Sequence, residues 1–213
     1  WFTTTAVPPK TPEKEWDIQA TDLSYYCDID QAQAFGKLLW ATGCQRQAQL
    51  AQELIFLGDG AEWIWNLTAD YFPDSVQIVD WYHAGEHLAK AAATLYPDDE
   101  QAAKRWFAQR RHHLFKGSIH HITRPLDKAG LEDHSLYFHT HKRRMQYQEF
   151  REDGYVIGSG MVESGCKQFK ARFCGPGMRW SREGIERLLP IRAAVMSKSF
   201  DEVWKAAYNS PPN

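Results

Sequence analysis

"ELIFLGDGAEWIWNLTADYFPDSVQIVDWYHAGEHL" (residues 53–88) carries the clearest alternation of strand and helix signals in the chain. Two short apolar runs, at 53–60 and 75–80, each end in an aspartate, Asp59 inside Gly-Asp-Gly and Asp80 before Trp81. Short apolar runs bounded by turn residues read as buried strands. "AEWIWNLTADYF" between them and "WYHAGEHLAKAAATLY" after them read as helices. Strand, helix, strand, helix in quick succession predicts parallel strands in an α/β layer.

On the N-terminal side, "WFTTTAVPPKTPEKEW" (1–16) starts strand-like and turns Pro- and charge-rich, as a loop would. Residues 20–27 read as a strand. Residues 30–52 read as a helix with Phe35, Leu38 and Leu39 on one face. On the C-terminal side, residues 99–151 read as helices only. There Ala103, Phe107 and Leu114 form an apolar stripe, and Lys104, Arg105, Arg111 and His112 a basic face. This stretch reads as a helical insertion. Residues 181–197 read as a further helix, with Ser181 as N-cap and Ile185, Leu188, Leu189 and Val195 as core. Pro190 is expected to kink or break it. Trp63 and Trp65 flank an apolar helix and read as core.

"VIGSGMVESGCKQFKARF" (156–173) opens on a Gly-Ser-Gly turn and continues as a helix. Val162, Cys166, Phe169 and Phe173 make its apolar stripe, so Cys166 is expected to be a buried thiol. Glu163, Lys167 and Lys170 make a neighbouring face. An i,i+4 Glu-to-Lys pair is either surface support for the helix or a metal-holding carboxylate beside cations that hold a polyanion.

The chain has 213 residues and four cysteines without a C-x-x-C spacing. Its size suits one large domain or one domain with an insertion. No signal peptide and no membrane-spanning run is evident, so a cytoplasmic location is the default. No repeat or low-complexity tract is present. The formal net charge of −2 hides an asymmetry. Residues 1–100 hold 5 Lys+Arg against 16 Asp+Glu; residues 101–213 hold 20 against 11. Residues 101–124 carry six Lys+Arg, four His and no acid, and residues 164–182 carry five Lys+Arg and no acid. Acid-free cationic stretches are either an electrostatic footprint for a polyanion or solvated faces that pair with the acidic half.

Asp59 and Asp80 each follow a predicted strand, the sheet edge where open α/β folds bind ligands. With Glu163 they form a set of hard oxygen donors suited to Mg²⁺. Each also has a plainer reading: Asp59 as a turn residue, Asp80 as an N-cap, Glu163 as a partner of the helix dipole. His83, Glu86 and His87 spell H-x-x-E-H, which on a helix is a zinc-protease signature. Glu163, 76 residues beyond His87, is the available third ligand for that reading. Simple core or supporting histidines are the remaining reading.

Several blocks in order resemble one family: "LGDGAEWIWNL", "VDWYHAGEHL", "GSGMVESGCKQFKARFCGPGMRWSREGIERLLPIRAAV" and "FDEVW". They are similar to the ISKra-type insertion-sequence transposases of bacteria, DDE enzymes related to the Mutator-like transposases. The resemblance runs from about residue 21 to the C-terminus. It implies an RNase-H-like α/β fold: a mixed sheet with a helical insertion at 97–155, in a partial catalytic domain spanning residues 1–213. It implies three acids holding two Mg²⁺ (or Mn²⁺) ions, the second matched by Asp59 and the third by Glu163. A D-x-x-H motif between them is matched by Asp80 and His83. Arg105, Arg110, Arg111, Lys116, Lys167, Lys170 and Arg172 are the cations expected to meet DNA phosphates. The implied partners are transposon-end and target DNA, with possible homo-oligomers and no membrane, at the bacterial nucleoid in the cytoplasm.

The chain departs from the family at its first acid, which belongs on the first strand. Asp17, Asp22, Asp28 and Asp30 are the aspartates before residue 58, and none follows an apolar strand in an Asp-Gly setting. With Trp1 in place of an initiator Met, the expectation is a truncated catalytic region lacking its first strand and first catalytic aspartate, and inactive alone. The alternatives are a non-catalytic DNA-binding transposase remnant and a zinc hydrolase built on His83, Glu86 and His87.

Overall fold

The computed structural model describes residues 1–7 and 17–209. In chain order the elements are β1 (Thr3–Val7), β2 (Asp17–Thr21), α1 (Ala32–Gln45), β3 (Ile55–Gly58), α2 (Glu62–Tyr71), β4 (Val76–Val79) and α3 (Trp81–Leu95). There follow α4 (Glu100–Phe115), α5 (His120–Lys128), α6 (Glu132–His141), α7 (Tyr147–Glu152), α8 (Gly160–Phe173), α9 (Arg182–Met196) and α10 (Phe200–Asn209). They divide into two units: Glu53–Ser159, and Trp1–Gln52 together with Gly160–Asn213.

The 53–159 unit carries the predicted α/β signature. β3 and β4 are parallel, with Ile55 opposite Val76 and Gly58 opposite Val79, and α2 is the crossover between them. Gly58 lets α2 lie close: a Cβ there would sit 3.1 Å from the Trp65 ring. α3 buries Ala84, Leu88, Ala91 and Ala92, an i, i+4, i+7, i+8 face whose small residues admit a close neighbour in α4. The expected stripe and basic face of α4 are both present. Trp106 and Leu114 are buried, Ala103 and Phe107 pack beside them, and Lys104, Arg105, Arg111 and His112 are exposed. The stretch expected to be helices only holds α4 to α7. In packing it is no appendage: Trp106, Leu114, Ile122 and Phe138 share one core with Ile78, Val79 and Leu88.

The second unit opens with β1 antiparallel to β2, Thr3 opposite Thr21. The strand expected at 20–27 is instead Asp17–Thr21. It ends where Asp22 takes a positive φ of 49° and pairs with Arg46 at 2.8 Å. The expected loop at 8–16 lies outside the described residues. Trp1 ties in the segment that follows β2: its amino group donates to the Ser24 carbonyl and its indole to Thr42 Oγ1, both at 2.9 Å.

Further positions differ from the sequence expectations. On α8 the buried face is Gly165 and Phe173, with Phe169 half-buried, while Val162 and Cys166 are exposed. Glycine sets that face: a Cβ at Gly165 would lie 2.6 Å from Tyr25 Cε1, so the Tyr25 ring occupies the space a larger side chain would need. All four cysteines are free. Pro190 does not break α9, which runs unbroken through it. Pro190 and Glu186 are both on exposed positions, so the Glu186 carbonyl that loses its helical donor can be hydrated. Leu189 is buried as expected, but Val195, also expected in the core, is exposed, and Ala193 and Ala194 are buried in its place. In the 53–159 unit, Trp65 is buried but Trp63 is exposed.

The described residues are mostly helical, and their strands form two separate pairs, one antiparallel and one parallel. Among the described residues no helix is long and apolar enough to cross a membrane.

Candidate functional site

The carboxyl ends of β3 and β4 carry Asp59 and Asp80. Asp59 follows the last residue of β3 and is exposed. Its Oδ1 accepts the Ala61 N–H at 2.9 Å, a local turn that starts α2. Gly60 has φ 101°, and a Cβ there would lie 2.8 Å from the Tyr137 ring. Both facts demand glycine. Tyr137 reaches over from α6 and donates its hydroxyl to the Asp59 carbonyl at 3.4 Å. The Asp59 loop is therefore braced on an aromatic side chain 78 residues away.

Tyr137 belongs to a wider stack. His87 of α3 lies flat on it, centroids 3.7 Å apart and planes 9° off parallel. His141 meets its edge at 5.0 Å. Arg144 closes the set, with Nη1 3.4 Å from His141 Nδ1 and its guanidinium 4.6 Å from the Trp65 ring. Burial, then the charges of Asp59 and Asp80, pushes the Tyr137 hydroxyl far above its ordinary range, so it stays a neutral donor. Burial, with His83, Lys90 and His134 adding to it against the opposing pull of Glu86, holds His87 below the ordinary 6.5. Burial and Arg144 do the same to His141, against an opposing interaction with the Gly60 backbone. Both imidazoles are thus kept neutral beside the loop.

Asp80 has a different part. It is 3% exposed. Its Oδ1 caps α3 by accepting the His83 N–H at 2.8 Å, and its Oδ2 accepts the Ser159 N–H across 79 residues. The Trp81 N–H donates to the Ile157 carbonyl at 2.9 Å beside it. Asp80 thus clamps the Gly158–Ser159 turn onto the start of α3. Both oxygens are engaged with backbone, which is the work of a positioning residue. The "GSG" turn and the D-x-x-H motif, far apart in sequence, are one hydrogen-bonded structure.

His83 and His87 lie side by side on α3, and each has a protein neighbour. Their centroids are 5.5 Å apart with planes 57° off, His87 is stacked on Tyr137, and His83 Nδ1 sits 3.8 Å from Glu86. Among the described residues no group of three or more His, Cys, Asp or Glu is arranged to hold a metal ion.

In the other unit, Glu163 stands in the first turn of α8. Its Oε2 is 3.9 Å from Lys167 Nζ, with both side chains more than half exposed. So loose and hydrated a pair contributes little to stability, and it leaves the carboxylate accessible. Lys167, Lys170 and Arg172 are exposed, Arg172 lying 5.8 Å from the Phe173 ring and 6.0 Å from the Trp180 ring. In the 53–159 unit, Arg105, Arg111 and Lys116 are exposed. Arg110 is different: it is half-buried over Trp106 at 5.5 Å, with its Nε buried and unpaired.

Mg²⁺ takes one or two carboxylates and keeps several waters. Asp59, exposed at a strand end with one oxygen in a turn bond, fits that demand; Asp80, buried and doubly bonded, does not.

Tyr137, His141 and Arg144 were not legible as site residues in the sequence. Tyr137 sits in a helix with no motif around it. "HKRR" at 141–144 was a visible run of cations, but it lies outside the acid-free stretches that drew attention. No family model matches the chain, and no curated protein or solved structure matches it.

Proposed function

We propose that this chain is the catalytic region of an insertion-sequence DNA transposase with an RNase-H-like fold, acting by Mg²⁺-dependent phosphodiester hydrolysis and strand transfer. The observation that supports it is Asp59: an exposed carboxylate at the carboxyl end of a parallel strand, on a loop fixed by Gly60 and Tyr137. Open α/β sheets bind ligands at that edge. The quoted sequence blocks add the assignment of Glu163 as a second carboxylate toward the metal, and of Asp80 and His83 as the D-x-x-H motif. Mg²⁺, when bound, neutralises charge on the scissile phosphate and activates the attacking oxygen. The protein's own part is positional. Asp80 fixes the turn that leads into α8 by holding the Ser159 N–H. Exposed Arg105, Arg111, Lys116, Lys167, Lys170 and Arg172 hold phosphates without reading bases. His83, half-exposed in the first turn of α3, takes the role of orienting a flanking strand in this reading.

The test is Mg²⁺-dependent cleavage of transposon-end DNA by the full-length enzyme carrying this region. Asp59→Asn and Glu163→Gln are each expected to abolish cleavage while leaving DNA affinity within about threefold, since each removes a carboxylate rather than a phosphate contact. Unchanged cleavage in either variant would sink that residue's assignment.

A further inference from the structure

The opposite end of β4 from Asp80 carries a feature that the transposase reading does not use. A cavity of about 560 Å³ opens there, walled by Ser75 and Gln77 of the strand's start, by Thr140, and by Lys142, Arg143 and Arg144 of a short 3-10 turn. The β3–β4 strands are four residues long, which separates this cavity from the Asp59 edge by roughly 13 Å. Everything lining it belongs to the 53–159 unit.

Its charge is one-sided. Three consecutive cations line it and no carboxylate does. None of the three has a carboxylate within ion-pair distance among the described residues. Lys142 and Arg143 are exposed, but Arg144 is half-buried. Its guanidinium is held from two sides: Nε donates to Gln77 Oε1 at 2.7 Å, and its Cζ lies 4.6 Å from the centroid of the buried Trp65 ring. Withdrawing a guanidinium from water is costly unless an anion or a full set of acceptors compensates it. Gln77 and His141 supply only part of that set. The fork geometry of an immobilised arginine matches the paired oxygens of a phosphate, and two neighbouring mobile cations complete such a site. The Ser75 hydroxyl is already committed, donating to the Phe72 carbonyl at 2.6 Å, so it shapes the wall rather than binding. Val76 and Phe150 give the cavity an apolar part, and its volume exceeds what one phosphate needs and falls in the range of ligand pockets.

We propose that this cavity is a phosphate-binding site, with Arg144 as the fixed fork and Lys142 and Arg143 as the mobile cations. Its ligand is a phosphate group attached to an apolar or aromatic moiety, either a nucleotide of a polynucleotide chain or a nucleotide-sized small molecule. The inference stands on this cavity alone and does not depend on the transposase reading.

The test is calorimetric titration of the chain with inorganic pyrophosphate, and again with a short DNA duplex in the presence of pyrophosphate. Wild type is expected to bind pyrophosphate, and the double variant Lys142→Gln/Arg143→Gln to bind it at least tenfold more weakly. Both side chains are exposed and unpaired, so the double variant keeps its fold. Arg144→Lys keeps the charge but loses the fork, and is expected to weaken binding by a similar factor. Duplex that displaces pyrophosphate identifies the source as polynucleotide; duplex that leaves pyrophosphate binding unchanged identifies it as a small molecule. No heat of binding at millimolar pyrophosphate, or equal binding by wild type and the double variant, overturns the proposal.

Discussion

At the scale of single residues, glycine and cysteine give the sharpest tests. Gly60 holds φ 101° beneath the Tyr137 ring. Gly60→Ala is expected to lose about 1–3 kcal/mol of stability, from strained backbone and a displaced ring. Urea denaturation checks it, and an unchanged midpoint would contradict the bracing of the Asp59 loop. The thiols test the face of α8. Cys44, Cys166 and Cys174 are exposed, while Cys27 is partly buried and its thiol is pushed upward by burial, Cys166 and Asp28. Native protein should titrate three thiols rapidly and one slowly with a small disulfide reagent. A slow Cys166, located by mass spectrometry, would restore the stripe that the sequence suggested. That stripe was misread because apolar spacing names the side chains that could be buried. It does not reveal that Gly165, with no side chain, makes the closer contact with Tyr25.

At the scale of elements, the central stretch was legible because short apolar runs bounded by Gly-Asp-Gly and by Asp-Trp leave little freedom. β3, α2, β4 and α3 fall within one or two residues of their expected places. α9 was legible in position but not in continuity, since solvent can satisfy the carbonyl opposite Pro190. The bond that joins Asp80 to Ser159 could not be read at all, because nothing local links residues 79 positions apart. It carries a prediction. Asp80→Asn keeps one acceptor oxygen and turns the other into a donor facing an N–H. The expected cost is about 1–3 kcal/mol, with faster hydrogen exchange at the amide left without an acceptor, His83 or Ser159. Wild-type stability and exchange in the variant would show that the clamp is incidental.

At the scale of the whole molecule, the sequence carried the α/β signature of the centre. It did not carry the merging of α4 to α7 into the same core, because a helix's apolar stripe does not say which partner it meets. The charge asymmetry was fully legible, and Arg105, Arg111, Lys116, Lys167, Lys170 and Arg172 are exposed while Arg110 and Arg144 are half-buried. Buried His141 and half-buried His87 make stability depend on pH. His87 and His141 lie below the ordinary 6.5 in the folded chain and return to it on unfolding. As pH falls below about 6.5 the unfolded chain takes up protons that the folded chain refuses, so stability is present above that pH and is lost below it. Tm by circular dichroism should therefore fall between pH 7 and pH 5.5, by about 2–4 °C for each kcal/mol lost. His141→Gln should flatten the fall, and a Tm independent of pH in wild type would contradict the shifts.

The most direct test of the DNA reading is the affinity of this chain for a DNA duplex across a salt series. Six exposed cations, Arg105, Arg111, Lys116, Lys167, Lys170 and Arg172, are assigned to phosphates. Each phosphate neutralised contributes about −0.9 to the slope of log K against log salt. Binding is expected at low salt with a slope steeper than about −3, reduced by about one unit for each assigned cation changed to Gln. No binding at low salt, or affinity indifferent to salt, would contradict it.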